Sequence, residues 1–226
     1  MSPKPLWHIN SKANAVFNHT AFDKYPRLAV YPMKVLAISS QMDMCNPILI
    51  SQLLKARADT ALIMYSALAS AGAKNDVMRV ITQQTLPPPL LVLYQAVMKA
   101  NAPALKVRNT FAHHLWGYSN KVPDVLLLAD PKDLASKLPE VPLKSINGRR
   151  LLLAYPESFN RHIQAWTEVN LVAAVKQASE ARDRLELLHD VLLDPSDKAK
   201  QDGLIESLKM TAPPPRRKRA AGSQTL

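Results

Sequence analysis

The segment KVRNTFAHHLWGY, residues 106–118, contains an arginine, an asparagine, two adjacent histidines and a tryptophan. The guanidinium of Arg108 is a planar, permanently charged fork that suits phosphate oxygens and developing negative charge. The imidazole of His113 titrates near neutrality, so it can accept or donate a proton under cellular conditions. Together these groups suffice for metal-free cleavage of RNA, in which the 2′-hydroxyl attacks the neighbouring phosphate. The segment therefore predicts ribonuclease-type chemistry with no cofactor and no metal ion.

The spacing of these residues on a helix favours a site shared by two copies of the chain. Residues five positions apart point about 140° from one another, so Arg108 and His113 flank a helix face rather than stack on it. Asn109 lies one turn below His113 and is its direct neighbour. A second copy of the helix, packed alongside around a two-fold axis, would complete a groove with one arginine and one histidine from each copy. The chemistry predicts a homodimer.

Four helices are expected between residues 46 and 117 to position this segment. Asn46 can cap the first, Pro47 suits its first turn and Gly72 supplies its stop. The second begins near Asn75 and ends at the segment LPPP. The segments LLVLYQAVMKANAP and ALKVRNTFAHHLWG predict the third and fourth, and Gly117 would end the last. Short connections between short helices favour an antiparallel bundle.

The flanking segments predict a small β element and one long helix. Ser11 can cap a short N-terminal helix. After Gly117, the apolar runs VPDVLLLADP and GRRLLLAYP are each typical of a strand, and they could pair as a hairpin. The segment from ESFNRHIQAW to Pro195 predicts a single amphipathic helix. The expected fold is mainly α, an antiparallel helical bundle with a two-stranded β element and a long C-terminal helix, divided into residues 1–45, 46–118, 119–194 and a disordered tail, 195–226.

The arginine, the polar residue after it and the histidine four positions further on resemble the motif of the HEPN superfamily of nucleotide-binding domains. The wider RNTFAHHLWG resembles bacterial members, in which such a motif lies on the final helix of a four-helix bundle, and the likeness covers roughly residues 46–117. The resemblance implies a dimeric, metal-independent ribonuclease of the kind found in toxin–antitoxin, phage-defence or RNA-processing settings. It assigns Arg108 to the phosphate and the transition state, His113 to proton transfer and Asn109 to orientation. An antitoxin partner is a further expectation.

Other residues are candidates for substrate contact. His114 could carry a second proton, act as a hydrogen-bonded spacer or be exposed, and Trp116 could stack on a base, although a core position suits it better. The basic run RRKR after three prolines (Arg216, Arg217, Lys218 and Arg219) could add phosphate contacts or only solubilise the terminus. The formal net charge of +11 makes RNA the expected partner.

Several alternatives remain open at this stage. A catalytically silent HEPN-fold scaffold could use the motif helix only to dimerise, or the basic tail alone could bind nucleic acid. A second arginine–histidine pair, Arg184 and His189, has the same spacing and is interpreted as structural, with Arg184 on the solvated side of its helix. His8, His19 and His162 have no evident ligand partners and are interpreted as structural. Arg57 and Asp59 are interpreted as a local surface pair, and Cys45 as a small buried apolar residue. With no apolar run of about 20 residues, a membrane span is not expected, and a cytoplasmic location is the default.

Overall fold

A computed structural model describes residues 2–136, 145–146, 150–151 and 157–209. The mainly helical fold is confirmed, since most of these residues lie in helices. The helices are α1 (Thr20–Lys24), α2 (Pro26–Leu53), α3 (Ala58–Ser66), α4 (Ala71–Thr85), α5 (Pro88–His113), α6 (Pro131–Ala135), α7 (Glu168–Leu193) and α8 (Lys198–Lys209).

The strands form one five-stranded antiparallel sheet and one short two-stranded ladder. The strands are β1 (Lys4–Pro5), β2 (Val16–Phe17), β3 (Leu115–Ser119), β4 (Val122–Ala129), β5 (Ser145–Ile146), β6 (Arg150–Leu151) and β7 (Ile163–Thr167). The order in the larger sheet is β1-β7-β4-β3-β2. The sheet is therefore larger than the expected two-stranded element.

The first bundle helix differs from the expected one. Asn46 and Pro47 lie inside α2, which runs on to Leu53, so Asn46 caps no helix. The chain then turns through Lys55 at a positive φ of 50° and begins α3 at Ala58. Proline inside a helix removes one backbone hydrogen bond, but Pro47 is buried, and burial of this face of α2 offsets that loss. The boundary expected at residue 46 thus falls within one continuous helix.

The motif helix is also longer than expected. The predicted third and fourth helices are one helix, α5, which continues through Pro103 and ends at His113. Pro103 is exposed, so water can satisfy the carbonyl that has lost its helical donor. Gly117 does not stop a helix, because it lies in β3. The predicted end of α4 at LPPP is confirmed, with Leu86 as the C-cap.

The strand pairing and the long helix require further corrections. The strand expected at VPDVLLLADP is present as β4, but its partners are β3 and β7 rather than β6. Residues 163–167, expected in a helix, form β7, and α7 begins only at Glu168. A capping box between Thr167 and Asn170 fixes that start, since each side chain pairs with the other residue's backbone N–H. The expected N-terminal helix is absent, since Val16 lies in β2.

The polar C-terminal region is in part helical. Residues 198–209 form α8, whose Leu204 is buried against the helical core, whereas a disordered tail was expected there. The rest of that tail, including Arg216, Arg217, Lys218 and Arg219, lies outside the described residues.

Both faces of the sheet are buried, and this arrangement fixes the C-terminal end of α5. Leu126 and Leu128 of β4 pack with Phe111 of α5 and with Leu171 of α7. The alternate residues of β4 face a second cluster that includes Leu6, Ala13 and Ile163. A strand buried on both faces has a continuous apolar sequence, which is why its run was recognisable. A third cluster joins α2, α3, α4, α5, α7 and α8.

The packing at Gly117 predicts a loss of stability on substitution, and Gly203 provides a control for which a gain is expected. A Cβ atom at Gly117 would lie 2.6 Å from the carbonyl oxygen of Val16 and 2.7 Å from Phe17 Cδ1, so strands β2 and β3 would have to separate. We expect Gly117→Ala to lower the free energy of unfolding by about 1–3 kcal/mol. Gly203 lies within α8, and a Cβ atom there would meet only Leu187 Cδ2, at 3.7 Å. Gly203→Ala should therefore raise the free energy of unfolding by about 0.5–1 kcal/mol. Urea denaturation measures both, and equal effects would contradict the packing.

Candidate functional site

The motif residues lie in the last turns of α5 and remain accessible. His113, the last residue of the helix, and Asn109 are exposed, and 33% of the Arg108 side chain is exposed. Arg108 Nη1 donates a 3.1 Å hydrogen bond to Asn109 Oδ1. Arg108 Nη2 lies 4.0 Å from Asp43 Oδ2 on α2. The guanidinium is thus oriented by two oxygens, while neither Arg108 nor His113 is buried in the core.

All three motif residues line one groove between α2, α4 and α5, with a volume of about 810 Å³. We call it the α4–α5 groove. Its cationic lining residues are Lys74 and Arg79 of α4 together with Arg108. Asp43 is the only carboxylate among its described lining residues. The balance of formal charge favours an anionic ligand.

A second groove lies on the other side of α5. The α5–α6 groove, about 680 Å³, is lined by residues that include Lys106, Thr110, His114, Asp130 and Lys132. The two grooves share Ala102, Leu105, Asn109 and His113. Successive members of this set are three or four positions apart, which places them on one helix face. His113 therefore lies on an exposed stripe of α5 with a groove on either side.

The floor of the α4–α5 groove is apolar and aromatic. Met42, Tyr65, Met78 and Tyr94 line it although each is nearly buried. Burial raises the pKa of Tyr94 to about 12. Burial also raises the pKa of Tyr65, although the hydrogen bond from Asn46 Nδ2 to its hydroxyl, 2.8 Å long, opposes that shift. Both phenols are neutral at physiological pH, so the floor carries no charge.

His114 and Trp116 are placed differently from the motif. His114 is 19% exposed, and its Nε2 lies 3.7 Å from Asp130 Oδ2. Its Nδ1 is buried and has no hydrogen-bond partner among the described residues. Trp116 packs between the tilted rings of Phe22 and Phe111, and its Nε1 donates to the Phe111 carbonyl at 3.1 Å. The indole is held in the core and lines neither groove.

Arg184 of the second arginine–histidine pair is buried, so its placement on the solvated side of the helix was wrong. Arg184 is 5% exposed, and its Nε donates to Asn101 Oδ1 at 2.9 Å. Asn101 Nδ2 in turn donates to the carbonyl of Ala181 at 2.9 Å. Burial lowers the pKa of Arg184, opposed by the nearby carboxylates of Glu180 and Asp183. The hydrogen bond between Arg184 and Asn101 thus joins α7 to α5.

The remaining sequence candidates lie outside both grooves. His8, His19 and His162 are exposed and line neither groove. The interpretation of Arg57 and Asp59 as a local surface pair is confirmed by a 2.6 Å contact. Cys45 is only partly buried, and burial raises its pKa.

Sequence reasoning missed Asp43, Lys74 and Arg79. Each is well separated from the motif in the chain, and nothing in the local sequence shows that these side chains line one groove with Arg108. No family model, curated protein or solved structure matches this chain. In the part of the chain that the structure describes, no helix is both long and apolar enough to cross a membrane. Nor do three His, Cys, Asp or Glu side chains among those residues group closely enough to hold a metal ion.

Proposed function

We propose that the protein is a metal-independent endoribonuclease with a HEPN-like bundle, which acts as a homodimer through Arg108, Asn109 and His113. The observation that carries the proposal is that these three residues, all accessible, line one groove together with two further cations. A permanently charged fork and an exposed imidazole in one groove can bind a phosphodiester and move a proton at it. Formal charge around the groove favours the same polyanionic substrate.

The reaction that these groups support is transesterification by the RNA itself. The 2′-oxygen forms a bond to phosphorus while the bond from phosphorus to the 5′-oxygen breaks. One imidazole takes the proton of the 2′-hydroxyl, a second gives a proton to the leaving 5′-oxygen, and Arg108 stabilises the charge on the non-bridging oxygens. Because two proton carriers are needed, His113 from each of two protomers would serve.

The exposed stripe of α5 supports a shared site. Ala102, Leu105 and Asn109 are small or of moderate size, and His113 lies at its end. A second copy of α5 could lie along this stripe, since small side chains allow close helix packing. The same stripe supports the alternative of a catalytically silent scaffold. That alternative predicts dimers that weaken in Arg108→Ala and His113→Ala but no RNA product.

The direct test incubates the purified full chain with mixed RNA in the presence of EDTA. Products with a 2′,3′-cyclic phosphate and a 5′-hydroxyl are expected, together with a dimer in analytical ultracentrifugation. Intact RNA at micromolar protein would reject the ribonuclease, and cleavage by a strict monomer would reject the shared site.

Removal of the Asp43 carboxylate is expected to strengthen RNA binding. Its carboxylate lies 4.0 Å from Arg108 and repels a phosphate in the same groove. We expect Asp43→Asn to raise affinity for an uncleavable 2′-O-methyl RNA about 2- to 5-fold at low salt. Asp59→Asn removes a carboxylate from a surface pair outside the groove and is the matched control. Weaker binding in Asp43→Asn would show instead that Asp43 orients the guanidinium usefully.

A further inference from the structure

The α4–α5 groove has a lining that a phosphate site alone does not explain. Beyond Arg108 it carries carboxamide side chains from three helices, among them Asn46, Asn75, Gln83 and Gln95. A carboxamide offers a donor and an acceptor together, whereas phosphate accepts only. The groove therefore presents paired donors and acceptors next to the cations.

Most of these carboxamides are available for a ligand. The side chains of Asn75 and Gln95 are exposed and make no hydrogen bond to another described residue. Gln83 receives only a 3.5 Å contact from Arg79. Asn46 donates to Tyr65 and keeps its side-chain oxygen as an acceptor. Asn101, by contrast, is bound on both sides to α7.

The floor below them suits a flat, aromatic ligand. Lys74 Nζ lies 4.7 Å from the ring centroid of Tyr65, so a face of this ring turns toward the groove. Lysine is flexible, and movement of its ammonium to a phosphate would uncover the ring. Met42 and Met78 extend the apolar surface around it. Nucleobases stack on tyrosine rings and present donors and acceptors along their edges.

We infer that the α4–α5 groove is a nucleobase subsite, which binds an unpaired base of the RNA beside the phosphate held by Arg108. In this arrangement the base stacks over Tyr65, and Asn75, Gln83 and Gln95, spread along the groove, meet the edges of this base and of the next one along the strand. Lys74 and Arg79 bind the backbone on the rim. The inference rests on the proposed function only for the identity of the polymer, because base binding and cleavage are measured separately.

Fluorescence anisotropy with the wild-type full chain tests the subsite. The probes are a labelled mixed-sequence 2′-O-methyl RNA decamer and a decamer of equal charge in which every nucleotide is abasic. The abasic oligomer is expected to bind about 5- to 100-fold more weakly, the range that base stacking supports. Equal affinity of the two oligomers, or binding of neither, would overturn the inference. A free mononucleotide that binds as tightly as the decamer would overturn RNA as the ligand.

Neighbouring glutamines on α4 supply a matched pair of variants. Gln83 lines the groove, whereas the adjacent Gln84, which is also exposed, does not. Gln83→Ala should weaken binding of the base-bearing decamer about 5-fold and leave the abasic one unchanged. Gln84→Ala should change neither, so equal losses in the two variants reject the subsite. Asn75→Ala and Gln95→Ala are expected to behave like Gln83→Ala.

The outcomes separate this inference from the ribonuclease. Base-dependent binding of the decamer, without cleavage of unmodified RNA, would keep the subsite and remove the enzyme. Cleavage of RNA together with equal binding of base-bearing and abasic decamers would keep the enzyme and remove the subsite.

Discussion

Alanine in place of His113 is expected to reduce RNA cleavage by the purified protein about 10²- to 10⁴-fold, the usual contribution of a positioned general acid or base. The imidazole ends α5 and is exposed, so its removal leaves the core intact. The unfolding midpoint in urea should therefore stay close to that of the wild type. Initial rates on a labelled RNA, with EDTA present, measure the effect.

Two further variants test whether the loss of cleavage is specific to the motif. His8→Ala removes an exposed imidazole outside both grooves and should cleave at the wild-type rate. Arg108→Lys keeps the positive charge but loses the planar fork, so its rate should fall with little change at low salt in RNA affinity. If His113→Ala retains the wild-type rate, the catalytic role of this residue is wrong.

The largest effect on stability is expected at Asn101. Its side chain accepts from Arg184 Nε and donates to the Ala181 carbonyl, both at 2.9 Å in the buried contact between α5 and α7. Asn101→Ala would leave a buried guanidinium and a carbonyl without these partners. We expect the free energy of unfolding to fall by about 3 kcal/mol. Asn75→Ala, an exposed asparagine on α4, should change it by less than about 0.5 kcal/mol.

A double variant isolates the pair from the packing around it. Removal of both polar partners by apolar groups of similar size is often nearly neutral. Asn101→Leu combined with Arg184→Met should therefore be more stable than Asn101→Leu alone. Urea denaturation of the two single variants and the double variant gives the coupling. Additive losses would show that the hydrogen bond between the two side chains contributes little.

Local signals predicted several elements correctly. The run VLLL in β4 is β-branched or apolar and bounded by turn residues, so its strand character shows in the sequence. The segment LPPP could not continue α4, because successive prolines remove the backbone donors that a helix needs. The chemistry proposed for Arg108 and His113 also rests on their residue types and close spacing, and it stays a prediction.

The errors arose where distant contacts outweighed local preference. Pro47 is typical of a helix start, yet it lies inside α2, whose burial against the other helices stabilises the continuous helix. Residues 163–167 fit a helical stripe, but β4 offers them a ladder, and Thr167 supplies the helix start only afterwards. Thr167 is a common N-cap residue, but Asn170 stands where the usual capping-box pattern has Glu or Gln, so only the side-chain contacts reveal this helix start.

The sequence by itself determined that this chain is mainly helical, that β4 is a strand, and that an arginine, an asparagine and a histidine lie together on one short helical segment. Only the tertiary structure decided that Asp43 of α2 and Lys74 of α4 line one groove with Arg108, that Trp116 is held in the core and that Arg184 is buried. Residue type and spacing act within a few residues along the chain, and the proposed chemistry rests on them. Which side chains from different helices meet depends on how those helices pack, and that packing brings the carboxamides, the cations and the tyrosine floor into one groove beside His113.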